Sequence, residues 1–435
     1  MIDKKVLYSI FIIILFLPNL FLFSQDNSLK GRIVQKIVIV GNEKTKDRVI
    51  LREMKTKAGE PYQPDLLDKD MKRIESLRLF SRVRADAVKA DDDAVILITV
   101  NERWYIFPIP ILYRNEKSWK KWSYGLGVLH NNVRGLANEL LAAGWLGFNP
   151  GFDVEYTNPW FGGDLKLNSH IEIYHMKFRS QNLKHDRFDE TYRGIDWSIG
   201  KRWGYHIYTY AMFGYDFLTF PHQYQYLLPA EKDGQHIPSW GFGFTLDTRD
   251  LDQYPRSGSY ISLYASQTKW KNQLDYLKYG GEARYYQRLI GDASLALRMA
   301  AMFSDGPLPF FAQTYLGYSE RIRGQYYEQR QGGNRALASA ELRIPVIPVR
   351  YMDIEEDSEL FGHYSQDVPF GLDATLFYDI GNVWQQSESL SDGHTLEGFG
   401  AGLNVRVPYI DVFRIEYAFN PNSVGQVLFD IGVSF

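Results

Sequence analysis

The last half of the chain alternates apolar with polar or small residues in one segment after another, up to the final residue, Phe435. In Phe399 to Val407, the residues Phe399, Ala401, Leu403, Val405 and Val407 alternate with Gly400, Gly402, Asn404 and Arg406. Phe413, Ile415, Tyr417 and Phe419 repeat the pattern, as do Val427, Phe429, Ile431, Val433 and Phe435. A strand sends successive side chains to opposite faces, so each segment has one apolar face and one mostly polar face. Soluble sheets can carry this pattern too. Repetition, segment length and aromatic content distinguish the two cases, and all three point to strands that cross a membrane. The chain has 30 Tyr, 27 Phe and 10 Trp, an excess that suits a lipid-facing band with aromatic girdles.

A mean hydropathy of −0.32 is too polar for a bundle of membrane helices. Only Val6 to Phe23 is apolar enough to be a candidate span. It follows Lys4 and Lys5, is interrupted by Pro18-Asn19, and gives way to Ser24-Gln25-Asp26, so residues 1–24 are expected to be a secretory signal peptide. There is no cysteine, hence no disulfide, no lipid-attachment thiol and no thiolate chemistry. The net charge of −3 leaves no electrostatic footprint for nucleic acid.

Gly31 to Glu102 follows a different pattern. Ile33 to Val40 is β-rich and ends at Gly41-Asn42; Thr45 to Met54 and Asp65 to Leu77 have helical spacing. Phe80 to Val88 and Ala94 to Val100 read as two strands. The order β-α-α-β-β describes a small α+β module. The runs Ile37-Val38-Ile39-Val40-Gly41-Asn42-Glu43-Lys44-Thr45 and Leu79-Phe80-Ser81-Arg82-Val83, with Val49-Ile50, Gly59 and Tyr62 between them, resemble a POTRA domain. POTRA domains precede the barrels of the outer-membrane protein assembly superfamily, which includes insertases and two-partner-secretion transporters. The resemblance implies one POTRA copy at 31–102, which would handle unfolded strands by offering a sheet edge.

From residue 105 onward about sixteen strand-like segments follow, at the length expected of membrane strands. The expected fold is therefore an α+β POTRA domain followed by an all-β transmembrane barrel of about sixteen antiparallel strands over 105–435. Asp305 to Asn334 separates two of these segments. A loop of that length is usually functional. It contains Ile322-Arg323-Gly324, similar to the family's inward-folding Val/Ile-Arg-Gly-aromatic loop, with Gln325 where an aromatic is usual and Tyr326 after it. Phe377-Tyr378-Asp379-Ile380-Gly381 is similar to the family's Phe-x-Asp-x-Gly wall motif. A buried arginine needs carboxylate partners. The alternation places Asp379 and Glu341 on the inner faces of their strands, so Arg323 is expected to pair with either or both.

Pro108 and Pro110 stand two apart in the first barrel segment, so their missing N–H groups share one strand edge. They either weaken the closing seam against the last strand near Gly432 or lie below the ladder and shape the linker. Phe429, Ile431, Val433 and the terminal Phe435 resemble an outer-membrane barrel targeting signal. Tyr156-Thr157-Asn158-Pro159-Trp160-Phe161 and Asp247-Thr248-Arg249-Asp250 resemble the family's periplasmic turns.

No HExxH, GxSxG or P-loop occurs, so neither catalysis nor any cofactor or metal is expected. The resemblance implies an outer-membrane insertase or translocase in a Gram-negative bacterium, with its POTRA domain in the periplasm. Its partners would be unfolded outer-membrane or secreted polypeptides and the lipid bilayer, with periplasmic chaperones or accessory subunits as further candidates. The alternative is a passive outer-membrane pore or surface protein.

Overall fold

The computed structural model describes residues 29–435 except 116–119, 229–233, 326, 353–367, 394, 407–411, 423–424 and 433. The expected signal peptide and Val433 lie outside the described residues. The N-terminal module contains β1 (Val34–Val40), α1 (Asp47–Leu51), α2 (Pro64–Glu75), β2 (Phe80–Ala90) and β3 (Asp93–Glu102). β3 lies between β1, which runs parallel to it, and β2, which runs antiparallel. Alternate residues of β3, Ala94, Ile96, Ile98 and Val100, pack with Val49, Ile50, Leu67 and Ile74 of the helices. Pro64 starts α2, where its fixed φ costs nothing and no N–H is needed. Asp70 of α2 is fully buried and accepts the backbone N–H groups of Lys55 and Thr56, which ties the two helices together. The first helix starts at Asp47, later than its spacing suggests, because Glu102 takes the N–H groups of Lys44 and Thr45 and holds residues 43–45 in a bend ahead of it.

The remaining strands are β4 (Ile106–Arg114), β5 (Trp122–Val133), β6 (Asn138–Gly147), β7 (Gly151–Phe161), β8 (Leu167–Arg179), β9 (Asp189–Trp203) and β10 (Ile207–Thr219). They continue as β11 (Gln235–Asp247), β12 (Gly258–Trp270), β13 (Leu274–Arg288) and β14 (Ser294–Asp305). A short hairpin, β15 (Thr314–Leu316) with β16 (Arg330–Gly332), sits within the long loop that follows. The series ends with β17 (Asn334–Met352), β18 (Val368–Trp384), β19 (Leu396–Arg406), β20 (Phe413–Phe419) and β21 (Gly425–Ile431). Apart from β15 and β16, these form one 16-stranded antiparallel sheet in sequence order, from β4 at one end to β21 at the other.

The outer face carries large apolar residues at every second position, with Leu112 69%, Phe242 70%, Met299 68% and Phe429 65% exposed. An apolar band of that extent needs lipid rather than water against it. The sheet is strongly curled. Tyr318 of the long loop donates to the Gln181 carbonyl just after β8, and Arg321, three residues on, pairs with Asp430 of β21. In a flat sheet the eleven steps from β8 to β21 would span about 50 Å at ~4.8 Å each. Four loop residues and two side chains bridge that separation here, so the two halves face each other across an interior.

The final strand is a correction to the sequence expectation. It ends at Ile431 rather than running to Phe435. Gly432, at φ +89°, turns the chain into the interior. There the Phe435 ring is buried against Tyr286 and Ala296, and the Ser434 hydroxyl donates to Glu341 at 2.6 Å. Burying the aromatic ring outweighs the remaining backbone pairing that a strand with an unpaired edge offers.

Candidate functional site

The long loop enters the interior and places Arg323 among three carboxylates. Its Nε and Nη2 donate to the two oxygens of Asp379 on β18 at 2.7 and 2.8 Å. Nη1 donates to Glu341 on β17 at 2.9 Å and to Glu416 on β20 at 2.8 Å. The backbone N–H of Arg323 also reaches Asp379, at 3.2 Å. The guanidinium plane lies over the Phe377 ring, 3.7 Å from its centroid. A planar five-donor fork suits this arrangement, and a lysine could not reproduce it. Ile322, beside it, packs with Leu316, Leu337, Val383 and Leu396. Gly324 has φ +89°, and a Cβ there would lie 2.4 Å from the Phe419 carbonyl oxygen. Gly398 on β19 has the matching requirement, since a Cβ there would lie 1.7 Å from the Arg323 carbonyl oxygen. Both glycines let the loop tip rest directly on strand backbone.

The network extends beyond the residues that the motifs pick out. Arg343 donates to Glu341 at 2.8 Å, Arg414 pairs with Glu416 at 3.3 Å and Asp430 at 3.0 Å, and Arg321 pairs with Asp430 at 2.7 Å. Four guanidiniums (321, 323, 343, 414) thus face four carboxylates (341, 379, 416, 430), and this balance makes the burial of Arg323, Arg343, Arg414, Glu341, Asp379 and Glu416 tolerable, with Arg321 and Asp430 at the more exposed end. Glu416 and Arg414 were visible in sequence as the polar face of Phe413 to Phe419, but no motif marks them. Gln325, in the usual aromatic position, donates to the Glu397 carbonyl at 2.7 Å, so a hydrogen bond holds the tip there; Tyr326 lies outside the described residues.

Pro108 and Pro110 both lie inside β4, paired with Val128 and Leu126 of β5. Asn131 donates its N–H to the Tyr105 carbonyl and Asn115 to the Lys121 carbonyl, so odd-numbered residues direct their backbone groups toward β5. Even-numbered residues direct theirs to the other edge. That edge pairs with no strand among the described residues. Both missing N–H groups therefore lie on the sheet's free edge. Phe429 and Ile431 lie on the outer face of β21, each 65% exposed, at the opposite free end.

Residues 132–435 match the model of the Omp85 superfamily domain, and residues 33–103 match a POTRA model described as a surface antigen variable number repeat. The chain belongs to the Omp85 superfamily. The outer membrane assembly factor BamA of Nitratidesulfovibrio vulgaris (strain Hildenborough) is 24% identical over 412 residues, covering 89% of this chain and 48% of that one. The chain thus spans about half the length of that curated relative. BamA from Haemophilus ducreyi lacking POTRA domains 1–3 superposes with a TM-score of 0.54 at 17% identity, covering 92% of this chain and 84% of that one. CdiB from Escherichia coli superposes at 0.59 and 15% identity, covering 95% and 78%. The protein is accordingly an outer-membrane β-barrel with a periplasmic POTRA domain.

In this Omp85 chain the POTRA domain is fastened to several periplasmic turns of the barrel. Arg202 grips Glu53 with two bonds of 2.9 and 2.7 Å, and the Tyr205 hydroxyl donates to the Met54 carbonyl at 2.6 Å. Asn132 donates to Thr45 at 2.9 Å beside the β5–β6 turn. Arg78 pairs with Asp252 at 2.8 Å, and Arg82 lies over the Tyr351 ring. The segment after β11 does more than reverse the chain. Asp250 accepts the N–H groups of Leu251, Arg256 and Ser257, and this fold carries Tyr254 into the barrel floor between the guanidiniums of Arg343 and Arg406, 4.7 and 4.0 Å from its centroid. Asn158 to Phe161 is a strand end with a register shift rather than a turn, and Arg52 of the POTRA domain lies over Trp160.

Proposed function

We propose that this protein receives unfolded polypeptide at its POTRA domain and folds it into, or passes it across, the outer membrane through a seam between β4 and β21. The observation that carries this reading is that β4 and β21, the two ends of the sheet, pair with no further strand among the described residues. One end presents an edge with proline at two successive outward positions. An edge strand in lipid is a site of high free energy, because its unpaired backbone groups have no water to bond. Such an edge gains most from an incoming strand, and the missing donors weaken its competing closure with β21. Among the described residues β2 is an edge strand of the POTRA sheet, which supports the receiving step, since an extended peptide can add to such an edge largely without regard to sequence. The arginine network gives the loop a structural role: it holds the interior in shape while the seam works. Periplasmic chaperones or accessory subunits would deliver the substrate.

A passive pore or surface protein is the competing reading. A loop stapled across the interior obstructs conduction, which disfavours a pore. Depletion followed by quantitative proteomics of the outer membrane tests the two. Broad loss of barrel proteins identifies a general insertase, and loss of one surface protein a dedicated secretor. An unchanged outer-membrane proteome would overturn the proposal.

A further inference from the structure

The outward face of β8 and β9 changes character toward the end of the barrel remote from the POTRA domain. Strand register sets Val154, Ile173, Ile195 and Tyr215 in one exposed row across β7 to β10. Two residues further along each strand the row is Phe152, His175, Arg193 and Phe217, continued by His236 of β11. Lys177 and Thr191 stand above it, and then Arg179 and Asp189. The surface thus passes from apolar to aromatic to basic within three rows.

The height of this change follows from β9 itself. Arg202 grips Glu53 of the POTRA domain and so marks the periplasmic end of the strand. Arg193 lies nine residues away on the same strand. At ~3.4 Å per residue and a tilt of ~40°, that is about 23 Å across the membrane, the height of a barrel's apolar band. Arg193, Lys177 and Arg179 therefore stand at the level of the outer headgroups.

The charges there do not balance. Lys177 pairs with Asp189 at 2.7 Å, and Arg179 approaches the same carboxylate at 3.6 Å. Arg193 is exposed and makes no ion pair among the described residues. Three cations on two adjacent strands share one carboxylate. Where β12 meets β13, by contrast, Lys269 and Asp275 balance one for one at 2.7 Å. An excess of positive charge at headgroup height, with apolar side chains directly beneath it, fits a ligand that carries phosphate above and acyl chains below.

We propose that this patch binds a phosphorylated glycolipid of the outer leaflet, with its phosphates on Arg193, Lys177 and Arg179 and its acyl chains along the row from Val154 to Tyr215. The guanidinium forks can each take a phosphate bidentately, and the lysine supplies a point charge. The rings of Phe152 and Phe217 flank Arg193 where headgroup meets chain. β8 and β9 lie within the sheet, several strands from either end, so the lipid leaves both ends of the sheet free.

The test titrates the full-length protein in neutral detergent with fluorescent diphosphorylated lipid A. Saturable binding is expected, and dephosphorylated lipid A should fail to compete. K177Q/R179Q/R193Q should weaken binding about a hundredfold, from roughly fivefold per cation removed. K269Q, in the balanced pair, should leave binding unchanged. D189N releases Lys177 and Arg179 and should tighten binding about fivefold, a gain that misfolding cannot produce. The heat-dependent gel shift of a folded barrel verifies each variant. Absent saturable binding, unchanged binding in the folded triple variant, no tightening in D189N, or equal competition by the dephosphorylated lipid would each overturn the proposal. Competition by inorganic phosphate as strong as that by unlabelled lipid A would overturn it too, since the patch would then be a site for the free anion.

Discussion

Removing Arg323 tests the interior network most sharply, because its three carboxylates do not depend on it equally. In R323A, Glu341 keeps Arg343 and Ser434, and Glu416 keeps Arg414. Asp379, 3% exposed, keeps only the backbone N–H of residue 323 among the described residues. Stranding one buried charge costs about 3–5 kcal/mol, so undocking of the loop should become roughly 10²–10⁴-fold more frequent. D379A is gentler at about 1–3 kcal/mol, because Arg323 retains two carboxylates. The double variant R323A/D379A should therefore dock better than R323A alone, despite carrying one more substitution. The chain has no cysteine, so L316C, at a site 0% exposed in the loop hairpin, gives a clean labelling probe. Its maleimide reaction rate should rise in the order wild type, D379A, double variant, R323A. An unchanged rate in R323A, or a double variant that labels faster than R323A, refutes the reasoning.

The charge swap R323D/D379R should not restore docking, because an aspartate at 323 would face Glu341 and Glu416; loop labelling at wild-type rates in that variant would contradict the network. R202A removes the bidentate partner of Glu53, 4% exposed, but leaves Arg52 Nε at 3.5 Å, so it should cost about 1–3 kcal/mol of POTRA docking, read as a broadened distance distribution between spin labels on the two parts. P108A/P110A returns two donors to the free edge and should raise cysteine crosslinking between β4 and β21; unchanged crosslinking would remove the prolines from the seam argument. Burial holds Glu75 at about 7 against an ordinary 4.5, so its charged form is disfavoured where the POTRA domain meets the barrel, with Lys72 offsetting only part of the effect. Docking should thus strengthen as pH falls from about 7 toward 4.5. E75Q should flatten that dependence, as checked by thermal unfolding across pH 4.5 to 8.

Much of the fold was legible because a two-residue period survives any tertiary context. Alternation placed Asp379 with Phe377 inward and Leu376 with Tyr378 outward, and the structure gives 3% and 5% exposure for the first pair and 53% and 42% for the second. The end of β21 was not legible. Val427 to Phe435 alternates perfectly, and nothing local reveals that Phe435 finds an inward pocket made by β13 and β14. Glu416 was missed for a related reason: a polar residue on a strand's inner face becomes a ligand only when a loop from ninety residues away arrives beside it. The fastening of the POTRA domain was equally hidden, since Glu53 and Arg202 belong to no motif and meet only through the fold.

The most direct measurement reconstitutes the purified protein into liposomes and follows the folding of a urea-unfolded client barrel by its resistance to protease. The account predicts faster folding than in empty liposomes, and loss of that acceleration when the POTRA domain is deleted or β4 is crosslinked to β21. Folding at the empty-liposome rate, with the protein correctly inserted, would contradict it.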